Sequence, residues 1–367
     1  MRSAAVVDLG ALRDNVGDLR GRLAGAELMA VVKADAYGHG LLPAARAAVD
    51  GGATWLGVAF LEEALALRAA GVQEPVLAWL YAPSDDIVPA VAAGVDLGVY
   101  STAELARVVA AAEQTGRAAR VQLKVDTGLS RGGCAMTDWP ELVEAAAKAQ
   151  VTGAVDVTGV WSHLACGEEG PQHPANRQQK AAFTDALAVA AELRPEVRHL
   201  ANSAALLTDN DTHYDLVRAG AAIYGLVPAP AFGDYGLRPA MTLRSEVALT
   251  KRVPAGTGVS YGHRYTTTRE TTLALVPLGY GDGVPRNGSN ALPLAVKGKS
   301  YTVAGTVAMD QLVLDVGDDD VRPGDDVVLF GAGAASARDW ADATGTIDYE
   351  IVTRVGARVP RTYVGER

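Results

Sequence analysis

One lysine breaks an apolar run near the start of the chain. The segment Val31-Val32-Lys33-Ala34-Asp35-Ala36-Tyr37-Gly38-His39-Gly40 follows a β-type stretch beginning at Leu28 and turns into a loop with two glycines. An amine at the end of a buried strand loses hydration. Its pKa falls, and it becomes the kind of nucleophile that forms a Schiff base with a carbonyl compound. Alternatively, the side chain snorkels past the strand end to water. This segment alone leaves both readings open.

The elements that would position such an amine are legible. Candidate strands are Leu28–Lys33, Trp55–Ala59, Val76–Leu80, Leu97–Tyr100, Val121–Val125, Val157–Ser162, Val197–Ala201 and Leu216–Arg218. Helical patterns lie between them. Asp8 can cap a helix whose Leu12, Val16, Leu19 and Leu23 share one face. Ser101-Thr102-Ala103-Glu104 has the form of a capping box, and Gly71 and Gly94 stand where a glycine after a helix belongs. Eight β/α units predict a closed (β/α)8, TIM-like barrel over residues 9–237, because each parallel return needs a crossover helix. An open doubly wound sheet is the structural alternative.

The pattern changes near residue 238. Residues 238–367 read as a mostly β domain that an N-terminal strand over residues 1–8 can join. Its candidate strands are Ser245–Val253, Thr271–Pro277, Ser300–Val307, Gln311–Val316 and Asp326–Phe330, with one short helix from Ser336.

A barrel gathers its functional groups at the C-terminal ends of its strands. The polar residues expected there are Lys33, Lys124, Asp126, His163, Asn202, Ser203 and Arg218. Singly, each has an ordinary reading: a satisfied core histidine, a helix cap, an ion-pair partner. Together on one rim they suit a phosphate-bearing cofactor. The lysine would meet its aldehyde, hydroxyl and backbone donors its phosphate, and a cation its ring. Ser203 and the Ala219-Gly220-Ala221 turn fall in the late βα loops, where barrels commonly bind phosphate.

Composition narrows the partners. The chain has 367 residues, 49% apolar and 21% charged, with net charge −10. That describes a globular protein large enough for two domains, without the basic runs that nucleic acid or acidic membranes require. No segment is long and apolar enough to span a bilayer. The N-terminus reaches Asp8 too soon to supply a signal peptide's apolar region. Cys134 and Cys166 form no Cys-x-x-Cys pair, so a reduced cytoplasmic protein with free thiols is expected. Other patterns fail on inspection. Pro293 stands where a P-loop ending at Lys299-Ser300 needs glycine, Gly331-Ala332-Gly333 lacks the third glycine of a dinucleotide fingerprint, and no His/Cys/Glu cluster has metal-ligand spacing.

The residues resemble the alanine racemase family of pyridoxal-phosphate enzymes over essentially the whole chain. The likeness rests on the Lys33 segment, on Lys124-Val125-Asp126-Thr127-Gly128-Leu129-Ser130-Arg131, and on Ser162-His163, Asn202-Ser203 and Val217-Arg218-Ala219-Gly220. It continues through Val259-Ser260-Tyr261-Gly262, Gly279-Tyr280-Gly281-Asp282-Gly283, Ala308-Met309-Asp310-Gln311 and Asp348-Tyr349-Glu350. The segment Ala165-Cys166-Gly167-Glu168-Glu169-Gly170 departs from the expected pattern after the histidine.

The resemblance implies roles. Lys33 would hold pyridoxal phosphate and then act as a base on one face of the substrate Cα, with Tyr261 acting on the other. Racemisation needs two such groups, because a single base returns the proton to its own face. Arg218 would face the pyridine nitrogen and, being a poor proton donor, leave it unprotonated. His163 would orient Arg218. Tyr37, Asn202, Ser203, Tyr349 and the amides of Gly220 and Ala221 would complete the cofactor site, most of them at its phosphate. Arg131 and the Met309 amide would hold the substrate carboxylate, beside Asp310, while Tyr280 and Met309 narrow the entrance. Lys124 is expected to be carbamylated, which would separate two cations. The resemblance also implies a homodimer with shared active sites, Tyr261 serving the neighbouring subunit. The expected reaction is interconversion of L- and D-alanine, supplying D-alanine for peptidoglycan. Serine or broader specificity, a related decarboxylase and a non-catalytic pyridoxal-phosphate-binding protein are the alternatives. Tyr261 on a β domain argues against the last.

Overall fold

The computed structural model describes residues 2–365. Two compact units make up the chain. One comprises Leu12–Ala36 and Leu41–Leu237, and the other Met1–Ala11, Tyr37–Gly40 and Arg238–Arg367.

The first unit is a nearly closed (β/α)8 barrel. Its strands are Glu27–Val31, Trp55–Val58, Val76–Ala78, Asp96–Val99, Ala119–Asp126, Val155–Trp161, Val197–His199 and Leu216–Ala219. Every adjacent pair is parallel, from the eighth strand through the first to the seventh. The seventh and eighth strands form no ladder. Two backbone bonds span them instead, from Asp215 N–H to the Arg198 carbonyl at 3.0 Å and from Arg218 N–H to the Ala201 carbonyl at 3.1 Å. Strands covered on both faces read as continuous apolar runs rather than alternations, and Trp55–Val58 and Val76–Ala78 are buried at every position. Met29, Trp55, Leu77, Trp161, Val197 and Leu216 form one cluster with Trp79 and Tyr100 packed against it, so the barrel interior is a filled core.

The punctuation works largely as the sequence suggests. Asp8 Oδ1 accepts the Ala11 N–H at 2.9 Å at the head of helix Leu9–Gly21, whose Leu12, Val16 and Leu19 are buried. Gly71 and Gly94 have φ of +85° and +65° just beyond their helices. The box at Ser101 is only half formed. Ser101 Oγ accepts the Glu104 N–H at 3.1 Å, but the Glu104 carboxylate reaches one residue further back, to the Tyr100 N–H at 2.7 Å.

The second unit is mostly β. A six-stranded sheet runs in the order Lys299–Thr302, Pro293–Val296, Asp326–Phe330, Met241–Glu246, Ser3–Asp8 and Arg361–Val364, and a three-stranded sheet holds Leu249–Val253, Thr271–Val276 and Leu312–Gly317. The expected strand Ser245–Val253 is therefore two strands in different sheets. The chain changes sheet at Val247 and Ala248, whose N–H groups donate to Asp325 and Leu275 carbonyls. The expected strand Ser300–Val307 stops at Thr302, ahead of Gly305 at φ +85°. The helix at Ser336 forms with a full capping box, and a second short helix, Asp348–Thr353, lacks the side-chain cap that would have announced it. No described helix is long and apolar enough to cross a membrane.

Ser101 satisfies an otherwise unpaired N–H at the head of the 14-residue helix Thr102–Thr115. Ser101→Ala should lower stability by about 1 kcal/mol, read as a lower urea midpoint at unchanged slope.

Candidate active site

Lys33 stands two residues beyond the first barrel strand, after Val32 continues the pairing by donating to the Gly57 carbonyl at 2.8 Å. A helical turn, Lys33–Gly38, follows, and it is left-handed: Ala34, Asp35, Ala36 and Tyr37 have φ between +52° and +54°. For residues with a Cβ this costs about 1–2 kcal/mol each. Local bonds hold the turn. Ala36 N–H donates to the Val32 carbonyl at 2.8 Å, Ala34 N–H to Glu63 Oε1 at 2.6 Å, and Leu41 N–H to Asp35 Oδ1 at 2.8 Å. Glu63 is itself anchored by the Ala59 and Phe60 amides. Burial lowers the Lys33 pKa and nearby Arg131 lowers it further, while Glu63 opposes them. The amine lies 5.9 Å from the centre of the Trp79 ring.

Arg218, on the eighth strand, is buried, and both of its terminal nitrogens have protein partners. NH1 donates to His199 Nδ1 at 2.8 Å. NH2 donates to the carbonyls of Ser162 at 2.7 Å and Leu200 at 3.0 Å, and lies 3.2 Å from His163 Nδ1. Burial pulls this guanidinium down to about 9, so it stays charged near neutral pH. Trp161 lies beneath it. The guanidinium carbon is 5.0 Å from the Trp161 ring centre, and the same indole stacks on His199 at 5.5 Å with 6° between planes.

Lys124 shares that indole. Its Nζ is 4.6 Å from the Trp161 ring centre and 5.1 Å from that of Tyr100, an arrangement that attracts a cation through the ring quadrupole. Burial, then Arg218 and Arg131, bring Lys124 down to about 8, with Asp126 opposing and Lys33 adding to the effect. His163 is pushed well below its usual range by burial and by Arg218, Arg131, Lys124 and Lys33. Four cations thus bear on one small region, which makes it a strong attractor for anions. Gln179 fixes the loop carrying His163, donating to its carbonyl at 2.9 Å and to Thr127 Oγ1 at 3.1 Å, and accepting from Ala165 N–H at 2.8 Å. In the departing segment, Asn176 Nδ2 ties the Cys166 and Gly170 carbonyls together at 2.7 Å each.

At the seventh and eighth strand ends, Ser203 Oγ accepts from the N–H groups of Gly220 at 2.8 Å and Ala222 at 3.4 Å. A hydroxyl and two backbone N–H groups thus converge at the late strand ends, where barrels commonly bind phosphate. Ala221 begins the short 3-10 turn Ala221–Tyr224 beside it. Asn202 Oδ1 caps helix Ser203–Thr208 by accepting from Ala205 N–H at 3.0 Å.

The remaining residues singled out in the sequence lie in the β unit. Tyr37 and Tyr349 meet edge to face with centroids 6.3 Å apart, and burial raises the Tyr37 pKa to about 12. Tyr261 opens the turn Tyr261–His263, which follows Ser260 at φ +58°, and is 72% exposed. Tyr280 and Met309, 41% and 52% exposed, sit on two turns zipped together by Tyr280 N–H to the Ala308 carbonyl at 3.0 Å and Gly281 N–H to the Met309 carbonyl at 2.8 Å. A Cβ on Gly279 would lie 2.2 Å from the Ala308 carbonyl oxygen, so only glycine allows that approach. Asp310 pairs with Arg358 at 2.7 Å.

The barrel set therefore offers a depressed amine, a buried guanidinium and converging N–H groups. These can make a Schiff base, face a ring nitrogen and hold a phosphate. Sequence reasoning passed over His199, Glu63, Trp161 and Tyr100. His199 could have been noticed as a lone histidine within the strand run Val197–Ala201.

The sequence matches the family model described as "Alanine racemase, N-terminal domain" over residues 7–228 and "Alanine racemase, C-terminal domain" over residues 240–363. It is 58% identical to an alanine racemase of Frankia casuarinae, covering 99% of this chain and 97% of that one. With an alanine racemase of Salinispora tropica the identity is 59%, over 98% of each. The solved alanine racemase from D-cycloserine-producing Streptomyces lavendulae superposes with TM-score 0.98 at 54% identity, covering 100% of this chain and 98% of that one. The chain belongs to the alanine racemase family.

Proposed function

We propose that this protein interconverts L- and D-alanine with pyridoxal phosphate as cofactor, by proton transfers at the two faces of the substrate Cα. The observation that carries the reading is Lys33. Its amine is depressed by burial and by Arg131, it is held at a barrel strand end by a strained turn, and it shares its unit with Arg218 and the Ser203 cluster. The donor set fits the cofactor. Lys33 Nζ would take its aldehyde, Arg218 would lie opposite its ring nitrogen, and Ser203 with the Gly220 and Ala221 amides, Tyr37 and Tyr349 would hold its phosphate. When bound, the cofactor supplies a carbonyl for the substrate amine and a conjugated ring that spreads the charge left at Cα.

The chain's own groups do the rest. Lys33 Nζ removes or returns the Cα proton on one face, and its lowered pKa favours the unprotonated amine that this role needs. The partner's Tyr261 does the same on the opposite face. The exposure of Tyr261, Tyr280 and Met309 in the single chain supports a homodimer in which each subunit completes its neighbour's site. Arg131 and the Met309 amide take the substrate carboxylate, and Tyr280 and Met309 narrow the entrance. Asp310, paired with Arg358 and next to Met309, completes the substrate side of the site. Arg218 keeps its protons, because four protein acceptors surround it and a guanidinium is a poor acid. The ring nitrogen therefore stays unprotonated, which limits side reactions. The product D-alanine would feed peptidoglycan synthesis in the cytoplasm.

Lys124 is assigned as a carbamate. Its pKa of about 8 leaves more neutral amine near pH 7–8 than an ordinary lysine has. That amine can add to CO2 with loss of one proton, replacing a cation among cations with an anion that pairs with Arg131. Isotope-labelled bicarbonate should give one carbamate carbon resonance that disappears in Lys124→Arg. A bare Lys124 amine in bicarbonate buffer would overturn the assignment.

Two measurements test the function itself. Purified protein should show the visible absorbance of protein-bound pyridoxal phosphate and convert L-alanine to D-alanine faster than L-serine. Lys33→Ala should abolish that absorbance and lower racemisation by about 100-fold or more. Absence of cofactor binding in the parent protein would sink the reading. Mixing Lys33→Ala with Tyr261→Phe chains should restore up to one working site per heterodimer. Confirmed heterodimers without recovered activity would remove the shared site.

A further inference from the structure

A chain of buried polar groups runs through the barrel core to Arg218, and its hydrogen-bond roles are forced. Asp96 opens the fourth strand with no exposed surface. Its Oδ1 accepts from Arg120 Nε at 2.7 Å, and its Oδ2 from Thr158 Oγ1 at 2.6 Å and Gln122 Nε2 at 3.0 Å. Gln122 Oε1 lies 2.8 Å from His199 Nε2, and His199 Nδ1 lies 2.8 Å from Arg218 NH1. Gln122, Thr158 and His199 are all fully buried.

A carboxylate has no proton to donate, so Gln122 must turn its NH2 towards Asp96. The carbonyl of Gln122 then faces His199, and a carbonyl only accepts. Nε2 of His199 must therefore carry a hydrogen. Burial, with the Arg218 charge beside it, keeps this imidazole neutral, so it holds one N–H. Nδ1 is left with its lone pair towards Arg218.

We propose that Asp96 and Gln122 are positioning residues, whose hydrogen-bond roles lock His199 as the Nε2–H tautomer and so keep an acceptor against Arg218. The opposite tautomer would set Nδ1–H against an Arg218 N–H, two donors face to face, and unseat the guanidinium. The anchor lies at the other end of the strands, where Arg120 also pairs with Glu196 at 3.2 Å and Asp156 at 3.7 Å. The consequence for the cofactor rests on the proposed function, whereas the tautomer does not.

The test reads the imidazole nitrogens of the full-length protein with isotope-labelled histidine, His199 being assigned by the signal missing from His199→Asn. The parent protein should show a protonated Nε2 and a bare Nδ1. A proton on Nδ1 would overturn the proposal outright, with no variant needed and whatever the enzyme's activity. Asp96→Leu removes the acceptor that orients Gln122, so the amide should turn freely and His199 should no longer be held as the Nε2–H tautomer alone. Retention of pyridoxal phosphate on dialysis should fall by about tenfold. Gln122→Met should free the tautomer in the same way. Gln122→Glu should rescue it, because two carboxyls in contact share one proton and keep the same pattern of donor and acceptor. An Asp96→Leu protein that folds, keeps Nε2–H alone and retains cofactor like the parent would refute the relay.

Discussion

Burial of the Arg218 guanidinium is the constraint around which the barrel core is arranged. A buried cation is costly unless its donors are met. Here the carbonyls of Ser162 and Leu200 and the imidazole of His199 meet them, and Trp161 supplies a ring face. Each acceptor brings its own requirement. The two carbonyls come from the ends of the sixth and seventh strands, where the chain leaves its ladder and has oxygens to spare. His199 needs Gln122, and Gln122 needs Asp96. A polar column thus replaces what would otherwise be apolar core, and it is satisfied at every joint named. Half-satisfied, such a column would be worse than hydrocarbon.

The same guanidinium sets the electrostatics of its neighbours. It lowers Lys124 and His163, and Arg131 presses on both and on Lys33. Burial is the larger cause for both amines, and the neighbouring positive charge takes them further in the same direction. Trp161 makes this crowding tolerable. One indole carries Arg218 over its ring, stacks on His199 and lies under the Lys124 side chain, so a single polarisable surface serves all three. Its own N–H is buried with no hydrogen-bond partner among the described residues, which is the local cost of that placement.

How much of this the sequence could convey depends on the kind of signal. The barrel was legible because eight apolar strands and their helix punctuation repeat, and periodicity survives without knowledge of contacts. Lys33 and Arg218 were legible because a charge at a strand end is conspicuous. His199 was visible as a histidine in the strand run Val197–Ala201, but nothing local shows that its ring faces Arg218. Gln122 and Asp96 were hidden for the same reason, since their partners are 77 and 26 residues away. The corner at Val247 was hidden because Val247-Ala248-Leu249 reads as one unbroken apolar run while the pairing partner changes. Glu104 shows the limit at short range: the residue types of a capping box were present, yet the carboxylate chose the Tyr100 amide.

The left-handed turn after Lys33 is the clearest case of a feature no propensity would choose. Ala34, Asp35, Ala36 and Tyr37 are not residues that favour positive φ, apart from Asp35. The turn persists because Glu63 takes up the Ala34 N–H, because Asp35 ties the turn to the Leu41 N–H beyond it, and because the Val32 carbonyl accepts the Ala36 N–H from behind. A right-handed continuation would have been cheaper locally and would have aimed the lysine elsewhere. The sequence therefore accepts strain in the few residues following Lys33, and Glu63, anchored at the head of a different helix, holds the strained turn in place. Strain located at the one reactive amine, with its restraints drawn from two separate βα units, is what a site needs if that amine is to sit in a single orientation before any ligand arrives.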